Sequence, residues 1–222
     1  MNWVCPFRPH PLCMQSSVPA HTRNSTWYLS SVTVDFGIPS KDTSANGHLM
    51  SKLAELALRA TRLPAVQLAS TRGQVPISLV AAVYAIEVSF RPWWVRGAEN
   101  AYLVAGFLWW LASGRGFRDV TVGPFQVGCH IVAEYLGIPY TRQRDTWNAP
   151  RSPALALGLL KLPTMRYNAE LAAFRLGWLW RQALEAGMDK GKAITFVGTW
   201  YNGTESYGVV LHNLVRLIDR NT

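Results

Sequence analysis

The chain has 222 residues, 49 % of them apolar, which is enough for one domain with a sizeable core. Its 22 Lys and Arg against 13 Asp and Glu leave a formal net charge of +9, which favours acidic partners such as nucleic acid, an anionic membrane or a wall polymer. Dispersed arginines argue against a specialised nucleic-acid domain, and no stretch reaches the roughly 18–20 apolar residues that a bilayer-spanning helix needs.

Residues 1–47 are rich in Ser, Thr, Pro and Asn with little periodicity and are expected to form a loosely ordered arm. Their start, "MNWVCPFRPHPLCMQSS", has no continuous apolar run of the kind a secretory signal carries. On this reading the protein stays inside, leaves by cell lysis or a specialised route, or has an unusual start. Cys5, Cys13 and His10 do not match the spacing of a standard metal site, and the third cysteine, Cys129, lies in an apolar helix. No metal and no cofactor are expected.

From residue 48 to 222 the pattern is that of a mainly helical domain. "NGHLMSKLAELALRA" opens it, with Leu49, Leu53, Leu56 and Ala60 on one face. "LPAVQLASTRGQ" reads as a connection punctuated by Pro64 and Gly73. Pro76 starts the next helix, which carries Glu87 and must end before Pro92. A third helix, "GAENAYLVAGFLWWLAS", stops at "GRG", and the extended insert "RDVTVGPFQVG" follows. "QVGCHIVAEYLG" reads as a helix ending at Gly137. Residues 138–166 read as a long connection with a short helix near "ALALGLL". Three helices close the chain: one ended by Gly187, one by Gly203, and a last with Tyr207, Val210, Leu211, Leu214, Leu217 and Ile218 at helical spacing.

Glu87 shares its stripe with Val80, Val83 and Tyr84, so a carboxylate sits on an apolar face. Burial there and the negative end of the helix dipole both disfavour its charged form and push its pKa upward. A glutamic acid still protonated near neutral pH is what glycoside cleavage asks of its general acid. The alternative is a side chain that turns into solvent at a frayed helix end.

Three stretches in order, "AIEVSFRP", "TVGPFQVG" and "GTWYNG", resemble the lytic transglycosylase domain with the goose-type lysozyme fold. That family has "ES" after an apolar helix, then a "GLMQ" turn and a late "AYN" element. The resemblance covers roughly residues 75–220. It departs from the pattern at Val88, where Ser89 comes one step late, at Pro124 and Phe125 in the turn, and in an extra apolar helix between Glu87 and Gly123.

The resemblance implies a lysozyme-like helical domain with a small β insert that cleaves the β-1,4 bond between MurNAc and GlcNAc in peptidoglycan. It implies Glu87 as catalytic acid and Tyr201 as the hydroxyl that reaches it. Gly123, Gln126, Asn168 and Asn202 become substrate-binding residues, Asn168 by the looser match. It implies no second carboxylate. Among candidates for one, Glu99 and Glu134 read as solvated helix residues, while Asp119 precedes the turn. Glycan strands are the expected partner, and the periplasm or cell wall the expected site of action. A second reading keeps the fold and the groove without catalysis, as a structural part of a phage particle or of a machine that spans the cell wall. Trp93, Trp94, Trp109, Trp110 and Trp200 remain open between sugar stacking and core packing, and Arg91 and Arg96 between peptide-stem carboxylates and the solvated surface.

Overall fold

The structure is a computed structural model and describes residues 43–143 and 146–222, all within one unit, residues 34–222. Most of the expected arm, with Cys5, His10 and Cys13, lies outside the described residues. The first helix, α1 (Thr43–Ala60), begins inside the span read as arm.

The described chain is mainly helical with small antiparallel sheets. After α1 come α2 (Pro64–Gly73), α3 (Ile77–Phe90) and α4 (Trp93–Ser113), then β1 (Phe117–Arg118), β2 (Thr121–Val122) and β3 (Val127–Gly128). Next are α5 (Cys129–Tyr135), β4 (Thr141–Gln143), β5 (Thr146–Asn148) and α6 (Pro153–Lys161). The chain ends in α7 (Met165–Glu185), α8 (Lys190–Asn202) and α9 (Glu205–Asp219).

Helix α3 is the centre. Its sequence is apolar nearly all round, and Leu79, Val80, Ala81, Ala82, Val83 and Ala85 are completely buried. Helices α1, α2, α7 and α9 pack around it. Small residues set how closely the outer pairs approach. A Cβ added at Gly177 in α7 would stand 2.3 Å from the Gly73 carbonyl of α2. One added at Gly198 in α8 would stand 2.7 Å from Cα of Gly208 in α9.

The stretch read as a connection at 63–74 contains α2. Pro64 opens that helix, where its missing N–H costs nothing, and Gly73 is its last residue. Proline and glycine there read as punctuation of a loop, but they bound a helix. Helix α4 begins at Trp93, four residues earlier than expected, because Pro92 provides an entry as well as an end. The expected helix from residue 126 shortens to α5, since residues 127–128 belong to a hairpin. Extended structure is also found within 138–166, where β4 pairs with β5 and β5 with β1. Strands of two or three residues are too short to show alternation.

Hairpin β2–β3 pairs Thr121 with Gly128 and Val122 with Val127. Its turn is the "GPFQ" stretch. Gly123 has φ 82° and Gln126 φ 53°, so a non-glycine residue holds a left-handed backbone at the end of the turn.

Candidate functional site

Glu87 occupies the last turn of α3 and is 6 % exposed. Burial raises its pKa from 4.5 to about 7, against the lowering effects of Arg91 and of a hydrogen bond from Tyr207, with Glu99 adding a smaller upward push. The upward direction read from the apolar stripe is therefore present, and Glu87 does not turn into solvent.

The hydroxyl that reaches Glu87 comes from α9. Tyr207 Oη donates to Glu87 Oε1 at 3.0 Å. Tyr201, expected in that role, instead donates to the Phe125 carbonyl at 2.7 Å. Both tyrosines are pushed well above the ordinary phenol range by burial first and by the neighbouring Glu87 charge second. In the sequence Tyr207 stands only as one of the residues at helical spacing in the last helix. A buried phenol needs a partner for its hydroxyl, and that was the signal available in its position.

Glu99 is a second correction. It is buried on the inner face of α4, not solvated. Arg91 links the two acids: its Nε stands 3.9 Å from Glu87 Oε2, and its Nη1 bonds Glu99 Oε1. Burial raises the pKa of Glu99, with Arg91 and Gln126 opposing. Gln126 Nε2 donates to Glu99 Oε2 at 3.2 Å and to the Gly123 carbonyl at 3.0 Å, while its Oε1 accepts from Thr121 Oγ1 at 2.8 Å. Arg96 donates to the Val88 carbonyl at 2.7 Å, and its Nε has no hydrogen-bond partner among the described residues. Neither arginine is simply a solvated surface group. Arg96 and Glu99 are the only charged residues of α4, and Arg91 caps the end of α3 beside them.

The turn is held from two sides. Asn168 in α7 is completely buried. Its Oδ1 accepts from the Phe125 N–H at 2.8 Å, and its Nδ2 donates to the Val122 and Leu162 carbonyls at 2.8 and 3.0 Å. Tyr201 takes the other backbone group of Phe125. Asn168 was expected to bind substrate, but with its amide spent on backbone partners it positions the turn. Gly123 is needed for space as well as for its φ, since a Cβ there would lie 2.5 Å from Asn168 Nδ2. The Phe125 ring packs on Tyr84 of α3, centroids 5.4 Å apart, which ties the turn to the helix that carries Glu87.

The structure thus gathers Glu87, Gly123, Gln126, Asn168 and Tyr201 around one turn. Asn202 stays at the exposed end of α8, where its Oδ1 accepts from Thr204. Asp119 is engaged elsewhere, by His130 and by Arg142 at 3.2 Å. Glu134 remains half-exposed, 3.9 Å from Arg175. Cys129 is buried, as its apolar helix implied. Of the five tryptophans left open, Trp110 is core and the other four are exposed. Two open clefts, of about 520 Å³ beside Gly114 and Arg151 and about 690 Å³ between α8 and α9, are lined by neither Glu87 nor Glu99.

Comparison with known proteins gives no matching family, no matching curated relative and no matching solved structure.

Proposed function

We propose that this chain is a peptidoglycan-cleaving enzyme of the lytic transglycosylase type, built on a lysozyme-like helical domain, with Glu87 as its acid. The observation that carries this reading is a buried glutamic acid whose pKa is raised to about 7 and which accepts a tyrosine hydroxyl beside a rigid turn. The helical surround and the small hairpin after α4 support the fold part of the reading.

In the reaction so proposed, protonated Glu87 gives its proton to the glycosidic oxygen as the C1–O bond breaks. The substrate's own N-acetyl group stabilises the cation at C1. The Glu87 carboxylate then takes the proton of the C6 hydroxyl as that oxygen closes on C1. The acid is restored, and the product carries a 1,6-anhydro ring. Tyr207 holds one carboxyl oxygen in place throughout. Glu99 has both oxygens engaged, by Arg91 and Gln126, so its part is to hold the arginine and the turn. Glycan strands in the periplasm or cell wall are the proposed substrate and setting.

One observation favours the second, non-catalytic reading. Glu87 is nearly sealed beneath Arg91 and the start of α4, so a glycosidic oxygen reaches it only if those groups yield. Clearing of a sacculus suspension separates the two readings. Catalysis predicts clearing by the native chain and none by Glu87→Gln. A protein that binds sacculi without clearing them is the wall-binding member.

A further inference from the structure

Helix α4 turns its charges inward. Arg96 and Glu99 lie toward Glu87, and Leu103, Gly106, Phe107 and Trp110 continue that inner face. The seat is firm. Trp110 Nε1 donates to the Ala149 carbonyl at 3.0 Å, and a Cβ at Gly106 would lie 2.3 Å from the Phe117 ring. The outer face shows Trp93, Trp94, Val104, Leu108 and Trp109, with Trp93 84 % and Leu108 57 % exposed. No residue exposed on α4 is charged. The helix is about 31 Å long at 1.5 Å per residue. A concentration of exposed large apolar side chains, interrupted only by neutral residues such as Asn100, marks an interaction site.

We propose that the outer face of α4 is a docking surface for an anionic lipid bilayer, on which the helix lies parallel to the membrane plane. Three observations select lipid over protein. The face carries no charged side chain, its polar groups being the neutral ones of Asn100, Tyr102, Ser113 and the indoles, whereas protein interfaces are enriched in Arg and carry a polar rim. Tryptophans occur near both ends of the exposed stripe, and their amphipathic rings suit the headgroup level. Cations stand at the C-terminal end: Arg115 is exposed, and the exposed Arg151 donates to the Leu111 carbonyl beside Gly114. With a net charge of +9, they complement anionic headgroups. No described helix is long and apolar enough to cross a membrane, so α4 lies on the bilayer. The proposal does not depend on any reaction at Glu87.

Flotation of the full chain with unilamellar vesicles tests it, and the readout is independent of wall cleavage. The native chain should float with vesicles of phosphatidylcholine and phosphatidylglycerol, and less with phosphatidylcholine alone. The combined variant Trp93→Ser, Leu108→Ser, Trp109→Ser changes only exposed side chains and should bind on the order of a hundred-fold more weakly. Arg115→Glu with Arg151→Glu should remove the preference for the anionic vesicles. Brominated acyl chains should quench the tryptophan emission of the native chain, a reading that needs no variant. Absence of native binding would overturn the proposal, as would undiminished binding by a folded triple variant. A dimer in vesicle-free sedimentation that the triple variant abolishes would also overturn it, by showing a second copy on this face.

Discussion

Tyr207 in α9 donates its hydroxyl to Glu87 in α3 at 3.0 Å, across 120 residues of sequence. The bond joins two buried polar side chains of the helical core. It also pulls the Glu87 pKa down while burial pushes it up.

Removing that hydroxyl in Tyr207→Phe should therefore let the Glu87 pKa rise above about 7. An acid that must be protonated stays competent to higher pH, so the alkaline limb of sacculus cleavage should move upward. The maximum rate should fall as the carboxyl loses its fixed rotamer. Tyr201→Phe should leave that limb in place, because its hydroxyl is bonded to Phe125. It should cost about 1 kcal/mol of stability through the loosened turn. Rate profiles of the two variants, compared with the native chain, check both statements.

Glu87→Gln should change how stability depends on pH. The folded-state pKa lies above the ordinary 4.5, so between 4.5 and about 7 the folded chain binds more protons than the unfolded one. Native stability should fall as pH rises through that window. At 1.4 kcal/mol per unit, the loss is about 3 kcal/mol. The glutamine variant has no such proton and should lack this part of the decline. Urea denaturation midpoints across the window read the difference directly.

Asn168→Ala should be costly although Asn168 lies outside the acid cluster. It would strand the Phe125 N–H and remove the donor to two carbonyls, all buried. A loss of roughly 3–5 kcal/mol is expected. Wall cleavage by whatever remains folded should fall, because Gln126 depends on the turn. Thermal melts with parallel clearing assays test this.

Gly177→Ala should destabilise through backbone crowding. The new Cβ would meet the Gly73 carbonyl at 2.3 Å, and backbone cannot step aside as a flexible side chain can. Parting α2 from α7 should cost roughly 1–3 kcal/mol. Denaturant melts should show a lowered midpoint.

Much of the helical layout was legible because periodicity over ten or more residues is a strong signal. Glu87 stood out for the same reason, as a charge breaking an apolar stripe. The turn residues Gly123 and Gln126 were legible through their order after Glu87. What escaped was set by three-dimensional packing. Which tyrosine meets Glu87 depends on how α9 crosses α3, and two tyrosines six positions apart cannot be told apart by periodicity alone. Glu99 escaped because a lone acid on a helix is usually solvated. Only the seat of α4 against α3 and the hairpin shows that its apolar face is outward and its charges inward. Helix α2 escaped because proline and glycine at its two ends also mark loops.

Glu87 is proposed above as the acid of glycan cleavage. The most direct measurement of that role is mass spectrometry of the soluble fragments released from purified sacculi by the native chain and by Glu87→Gln. Muropeptides with anhydro ends, each lighter by one water than the hydrolysed form, are expected from the native chain and none from the variant. Equal release by the two proteins, or intact sacculi with the folded native chain bound to them, would contradict it.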